Sequence, residues 1–297
     1  MTFNVLDEEL EGYLQLIKVD NETGKAVKIA NTSFALYKLD DKGNKTRISM
    51  IDPASGSATK KTDVFYTDAD GLMKTPEKLP LGRYLIEELQ GPEGYFNDSA
   101  YSVEFEIKSD RVWQVVGNAT NDMDEYIVEE KYCNHETLGQ LTIRKQGNVL
   151  TDYQDGQFIY TQDNLAGAVY EIHAAADIAT SDRQGTYWYK GGDLVATVTT
   201  GAAGQVDEVK FSPNRTQATY DFLTVSHDGT KGEVTVTLPL GKYTITEVKA
   251  PYGFILTNQS YMVEFGWGNQ KNDIVLAKTI VSHEQDGDKE CSYSIVN

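Results

Sequence analysis

A lysine, a glutamate and an asparagine occur twice in this chain, in the same order, each on a run of apolar neighbours. In the first copy Lys18 ends "YLQLIK", Glu88 sits in "RYLIEEL" and Asn134 closes "EEKYCN". In the second, Lys145 ends "QLTIRK", Glu247 sits in "KYTITEV" and Asn297 closes "SYSIVN". Side chains of a β-strand alternate between its two faces. Lys18 therefore shares a face with Leu14 and Leu16, Glu88 with Tyr84 and Ile86, and Asn134 with Tyr132. Lys145 likewise follows Leu141 and Ile143, Glu247 follows Tyr243 and Ile245, and Asn297 follows Tyr293 and Ile295. Every member of both trios stands where a core residue is expected.

A buried charge is costly unless it is paired or neutralised. Lysine and glutamate sharing an apolar site lower the amine pKa and raise the carboxyl pKa, so that one proton serves both. Two outcomes are open. One is a static buried ion pair with a hydrogen-bonded asparagine. The other is covalent. A neutral lysine amine is a nucleophile, the side-chain amide carbon of asparagine is its target, and glutamate polarises the amide, shuttles the proton and helps ammonia leave. The product is a Lys–Asn isopeptide bond. Recurrence of the same trio in the same order favours the covalent outcome.

The elements that must position these groups are strands. Runs such as "SFALYKL", "YSVEFEIK", "LVATVTT", "GEVTVTL" and "YMVEFGW" alternate or are rich in β-branched and aromatic residues, and the chain holds 18 tyrosines and 10 phenylalanines, which suit half-buried pleated surfaces. Turn clusters such as "DNETGK", "DDKGNK" and "SHDGTKG" punctuate them. "AGAVYEIHAAADIAT" reads as a strand passing into a short helical turn. Many short strands with such turns predict β-sandwiches. The copies align through "GYLQLIK" and "GQLTIRK", then "LPLGRY" and "LPLGKY", then the proline–glycine turns after each glutamate. This gives a leader at 1–11, a first sandwich at 12–136 and a second at 137–297. The surplus length of the second copy is assigned to an insertion around 184–232.

Net charge is −18, from 27 basic and 45 acidic residues, which excludes the basic footprint of a nucleic-acid or anionic-membrane binder. No apolar run is long enough for a membrane helix. The first residues lack the basic-then-apolar pattern of a signal peptide, so the chain is expected to be either cytoplasmic or a piece of a longer protein. Cys133 and Cys291, one per copy, make no disulfide framework, and the four histidines show no metal-ligand spacing. "TDADG" at 67–71 resembles the opening of a calcium loop but lacks the later glutamate, so a hairpin turn is expected. No cofactor and no metal are expected.

A first-strand lysine, a late strand reading "YTITEVKAPYGF" after "LPLGKY", and a terminal-strand asparagine resemble the CnaB-type (SpaA-like, prealbumin-like) domains of Gram-positive surface adhesins and pilins. The first copy departs from the motif at Gly91, which stands where the second has Ala250. The resemblance implies two tandem reverse-immunoglobulin-like β-sandwiches. It implies autocatalytic bonds Lys18–Asn134, served by Glu88, and Lys145–Asn297, served by Glu247. It also implies an extracellular, cell-wall-anchored location, with neighbouring domains of the same surface protein as partners. No sortase signal or pilin-type lysine motif is visible. The expected function is a structural stalk of an adhesin or minor pilin, single-turnover rather than enzymatic. The alternative is a module binding a host matrix or cell-surface ligand through the second-copy insertion; the aromatics of its "TYWYKGG" could mark a binding patch, but the commoner outcome, covering the sandwich, is the one expected. A hydrolase is disfavoured, since each copy offers one buried glutamate.

Overall fold

The structure is a computed structural model and describes residues 10–108, 126–202, 209–211, 225–226, 231–257, 259–276 and 279–280. It is all-β apart from a single 3₁₀ turn at Pro53–Ser55 among the described residues. The chain divides into two compact units. Unit 1 is Met1–Glu136 with Ser181–Gln184 and Asn269–Lys271; unit 2 is Thr137–Thr180, Gly185–Gly268 and Asn272–Asn297.

Unit 1 is built on β1 (Glu11–Asp20), β2 (Ser33–Leu39), β3 (Lys45–Arg47), β4 (Leu72–Lys74), β5 (Gly82–Gln90), β6 (Tyr95–Phe96), β7 (Val103–Ile107) and β8 (Ile127–Glu136). One sheet runs β6-β8-β1-β4 and the other β7-β5-β2-β3. The first and last long strands, β1 and β8, are parallel neighbours from Tyr13↔Ile127 to Asp20↔Asn134. Leu14, Leu16 and Tyr132 from the first sheet and Phe34, Leu36, Tyr84 and Ile86 from the second fill one core. Alternation along β1 and β5 thus turns the lysine and glutamate faces inward, as their apolar neighbours dictate.

Unit 2 contains β9 (Leu138–Arg144), β10 (Gln146–Gln154), β11 (Gln157–Asn164), β12 (Val169–Ala174), β13 (Leu194–Thr199), β14 (Val209–Phe211), β15 (Val225–Ser226), β16 (Glu233–Pro239), β17 (Gly241–Lys249), β18 (Ser260–Phe265), β19 (Ile274–Leu276) and β20 (Thr279–Ile280). One sheet runs β15-β16-β9-β19 and the other β14-β13-β12-β17-β18-β20, while β10 and β11 pair only with each other. Leu141, Ile143, Val234 and Val236 meet Tyr170, Ile172, Tyr243, Ile245 and Val263 across the core.

Two repeated sequence features acquire a physical reason. In "LPLGRY" and "LPLGKY" the tyrosine hydroxyl reaches back across the tight connection that precedes its strand, Tyr84 donating to Pro80 O and Tyr243 to Pro239 O, each at 2.6 Å. Gly12 and Gly139 open the first strand of each unit under an aromatic ring. A Cβ on Gly12 would lie 2.5 Å from Tyr126 Cδ1, and one on Gly139 2.2 Å from Phe265 Cγ.

The structure corrects one local expectation. No helical turn follows β12; instead Ile178–Ala179 pairs with Tyr187–Tyr189, because Ile178, Trp188 and Tyr189 are all drawn into the core. Trp188 and Tyr189 of "TYWYKGG" thus cover the sandwich core, as expected, and Tyr187 is half-buried. The β10–β11 hairpin is not among the expected strands and has no counterpart among the described strands of unit 1. Of the expected insertion, residues 203–208, 212–224 and 227–230 lie outside the described residues, as do residues 1–9 of the leader.

Candidate functional site

In unit 1 the three polar residues converge. Lys18 is wholly buried on β1, opposite Tyr132 of β8. Asn134 lies two residues beyond Tyr132 on the same inward face. Glu88 arrives from the other sheet, at the end of β5, where a register shift between Ser33 and Phe34 sets it opposite Phe34. Its carboxylate divides its oxygens between the two. Oε1 is 3.6 Å from Lys18 Nζ, and Oε2 accepts from Asn134 Nδ2 at 2.5 Å. Lys18 Nζ also donates to Tyr132 O at 3.2 Å and lies 5.2 Å from the Tyr132 ring centroid and 5.9 Å from that of Tyr95.

This enclosure sets the protonation chemistry. Burial lowers the Lys18 amine to about 8, against the opposing pull of the Glu88 charge. Burial raises the Glu88 carboxyl above its ordinary value, with Lys18 and the Asn134 hydrogen bond pulling the other way. Desolvation outweighs attraction for both partners, so the neutral forms of amine and carboxyl gain on the charged ones.

Sequence reasoning missed the residues that hold the trio in place. Tyr132 accepts from the Glu88 backbone N–H at 3.3 Å and donates to Tyr101 O at 2.8 Å, clamping the last strand to β5 beside the carboxylate. Asn97 Nδ2 donates to Glu88 O at 3.2 Å. Gly91 has a steric role: a Cβ there would lie 3.0 Å from Glu88 Oε2 and 3.5 Å from Asn134 Nδ2. The Tyr132 contacts join segments distant in sequence, and only the Pro-Gly turn after Glu88 hinted at a constrained backbone.

In unit 2 Lys145 follows β9 directly and Glu247 lies on β17; both are buried. Lys145 Nζ is 2.9 Å from each oxygen of Glu247, and Thr257 Oγ1 donates to Oε2 at 3.1 Å. The backbone of Lys145 is held on both sides, its N–H donating to Gly232 O at 2.9 Å and its carbonyl accepting from Leu165 N at 2.8 Å. Asn297, the expected third member, lies outside the described residues.

The remaining candidates behave as structural groups. In "TDADG", Asp68 Oδ1 accepts from Asp70 N and Leu72 N, closing the turn at Gly71. Among the described residues no group of three or more His, Cys, Asp or Glu is arranged to hold a metal ion, and no helix is long and apolar enough to cross a membrane. Cys133 is a free thiol, and Cys291 lies outside the described residues.

Residues 12–121 and 210–279 match the model of the SpaA family, a prealbumin-like fold domain. A search of curated proteins finds no match. Among solved structures, the chain is similar to the Bacillus anthracis TIE protein, with 18% identity and a TM-score of 0.45, over 90% of this chain and 33% of that one. The chain thus spans about a third of the length of that protein. It is also similar to the major pilin subunit BcpA of Bacillus cereus, with 15% identity and a TM-score of 0.29, over 90% of this chain and 98% of that one. A C-terminal fragment of the pilus adhesin SpaC from Lactobacillus rhamnosus GG shows 16% identity and a TM-score of 0.35, over 93% and 89% of the two chains.

Proposed function

Since the chain belongs to the SpaA prealbumin-like fold domain family, we propose that it is a structural stalk region of a Gram-positive cell-surface adhesin or pilin. Its two domains, 12–136 and 137–297, stiffen themselves with autocatalytic isopeptide bonds, Lys18–Asn134 and Lys145–Asn297. The observation that carries this reading is the placement of Lys18 Nζ and the Asn134 amide on the two oxygens of one buried carboxylate, Glu88. An acyl transfer needs the amine, the carboxyl and the amide carbon together, and the repeat of lysine, glutamate and asparagine in the same order in both copies favours it over a static pair.

The reaction balances within the trio. The pair holds one proton, either as ammonium and carboxylate or as neutral amine and carboxylic acid. In the second form, with the Asn134 amide turned so that its oxygen rather than Nδ2 meets Glu88, the Lys18 nitrogen attacks Cγ of Asn134 while the Glu88 acid protonates the amide oxygen. The tetrahedral intermediate collapses as Glu88 moves a proton from the attacking nitrogen to the departing one. The Cγ–Nδ2 bond breaks, an Nζ–Cγ amide forms, ammonia leaves, and Glu88 regains its starting state. Glu247 serves Lys145 and Asn297 in the same role. Nothing is turned over a second time, so the chain is not an enzyme in the ordinary sense.

Intact-mass measurement of the purified chain tests this. Each bond removes one ammonia, about 17 Da, so two bonds lower the mass by about 34 Da relative to the sequence. A mass equal to that of the sequence would leave only the ion pair. Tandem mass spectrometry of the digested chain then assigns the linked residues.

A further inference from the structure

Two residues after the strand lysine and seven after the glutamate, the two copies differ as a pair. The first has Asp20 and Tyr95; the second has Gly147 and Phe254. The fold brings the members of each pair together. In unit 1 Tyr95 donates its hydroxyl to Asp20 Oδ2 at 2.7 Å, and both residues are wholly buried. In unit 2 a Cβ on Gly147 would lie 2.8 Å from Phe254 Cε1. Unit 1 thus sets a carboxylate against a phenol, and unit 2 sets bare backbone against a phenyl ring. Mixed pairs would not serve. Asp beside Phe would leave a buried carboxylate oxygen without its donor, and a side chain at 147 would run into the ring.

The polar pair of unit 1 adjoins the bond-forming trio. Asp20 follows Lys18 on the same face of β1 and is the ladder partner of Asn134 on β8. Its Oδ1 accepts from the backbone N–H groups of Glu22 and Thr23, each at 2.8 Å, so both of its oxygens are held. Tyr95 belongs to β6, which follows the turn behind Glu88 and pairs with β8 at Glu136. The 2.7 Å hydrogen bond therefore ties the lysine strand to the segment that leaves the glutamate, and the Tyr95 ring centroid lies 5.9 Å from Lys18 Nζ.

Asp20 is also a second buried carboxylate close to the amine. Its charge favours the ammonium form of Lys18, in the same sense as Glu88 and Cys133 and against the effect of burial. The other titratable groups around this pair are Glu22 in the turn after β1, itself bonded to His135, Glu136 on β8, and Asp182 of the Ser181–Gln184 segment of unit 1. Lys18 is the one amine in that set.

We propose that Asp20 and Tyr95 are positioning residues for the first bond, Lys18–Asn134, an inference that rests on the isopeptide reading above. Tyr95 tethers the segment behind Glu88 to the lysine strand, and Asp20 fixes a negative charge beside the amine.

The test follows the Lys18–Asn134 linkage by digestion and tandem mass spectrometry, from acid to alkaline pH, as denatured and unlinked full-length chain refolds. Tyr95→Phe keeps the Asp20 charge and loses the tether. Its linkage should form about tenfold more slowly, as expected for one hydrogen bond to a charged group, with the alkaline fall in rate where the wild type has it. Asp20→Asn keeps an oxygen for the Tyr95 hydroxyl and removes the charge. Its amine gives up a proton more readily, so the alkaline fall should move to lower pH. A purely structural role would slow either variant without moving that fall. Wild-type rates in Tyr95→Phe, or an unmoved alkaline fall in Asp20→Asn, would overturn this inference and leave the isopeptide reading standing. A wild-type chain that never links would overturn both.

Discussion

Lys18 and Tyr132 face each other across the parallel ladder of β1 and β8, and the lysine amine donates to the tyrosine carbonyl at 3.2 Å. Asn134 is the next inward-facing residue along β8. Glu88 spans the two from the opposite sheet, one carboxylate oxygen toward the Lys18 amine and the other on the Asn134 amide.

The pH dependence of bond formation follows from the shared proton. The competent state has one proton on the Lys18–Glu88 pair. Below the raised pKa of Glu88 the pair holds two protons and the amine is blocked; above the Lys18 value of about 8 it holds none and the acid is gone. The rate of the first bond, followed by mass as unreacted chain refolds, is expected to rise from acid pH to a plateau. Above about 8 it should fall about tenfold per pH unit. A rate that still climbs beyond that point would remove Glu88 as proton donor.

Glu88→Gln is expected to leave unit 1 folded but unlinked, because the core of Leu14, Phe34, Tyr84 and their neighbours is untouched. The mass deficit should shrink by about 17 Da, and denaturant unfolding should show a loss of roughly 4–5 kcal/mol, the chain-entropy value for a loop of about a hundred residues. Glu247→Gln should do the same for the second bond. A retained deficit in either variant would assign proton transfer to another group.

Gly139→Ala tests the packing that seats the lysine strand of unit 2. Its Cβ would fall 2.2–2.6 Å from three atoms of the Phe265 ring, and that ring is buried. Overpacking of this kind costs about 1–3 kcal/mol. Gly12→Ala meets the Tyr126 ring in the same way, at 2.5 Å. Thermal melting should fall for both variants; an unchanged melting curve would mean that the rings move aside freely.

Much of the fold was legible because strand alternation and the repeat reinforce each other. The all-β class follows from the runs themselves, and the inward faces of β1, β5, β9 and β17 follow from period-two patterning around Lys18, Glu88, Lys145 and Glu247. Contacts set by tertiary closure were not legible. Nothing local to Tyr132 says that its hydroxyl meets the Glu88 backbone, and nothing local to Thr257 says that it reaches Glu247. The β10–β11 hairpin escaped for the opposite reason. Its apolar residues alternate with polar ones, but a bulge shifts the phase at Thr151 and no core receives them. The aromatics of "TYWYKGG" read as a cover for the sandwich, and Trp188 and Tyr189, 1% and 2% exposed, serve as that.

In the proposed stalk, tension would enter unit 1 at the start of β1 and leave at the end of β8. These strands are parallel neighbours, so the two pulls act in opposite senses along one ladder, from Tyr13↔Ile127 to Asp20↔Asn134. Hydrogen bonds loaded in this way shear at a rate set by the unfolding barrier. A Lys18–Asn134 bond sits at the far end of the ladder and carries the force from β1 to β8 through side chains alone. The residues between 18 and 134 are then bypassed. Pulled from its ends in a single-molecule experiment, the wild-type chain should show no extension event from within unit 1. The Glu88→Gln chain should gain one event, of a length set by the residues that Lys18 and Asn134 had enclosed. A full-domain extension of unit 1 in the wild type would overturn the stalk mechanism while leaving the fold and the buried trio as they are.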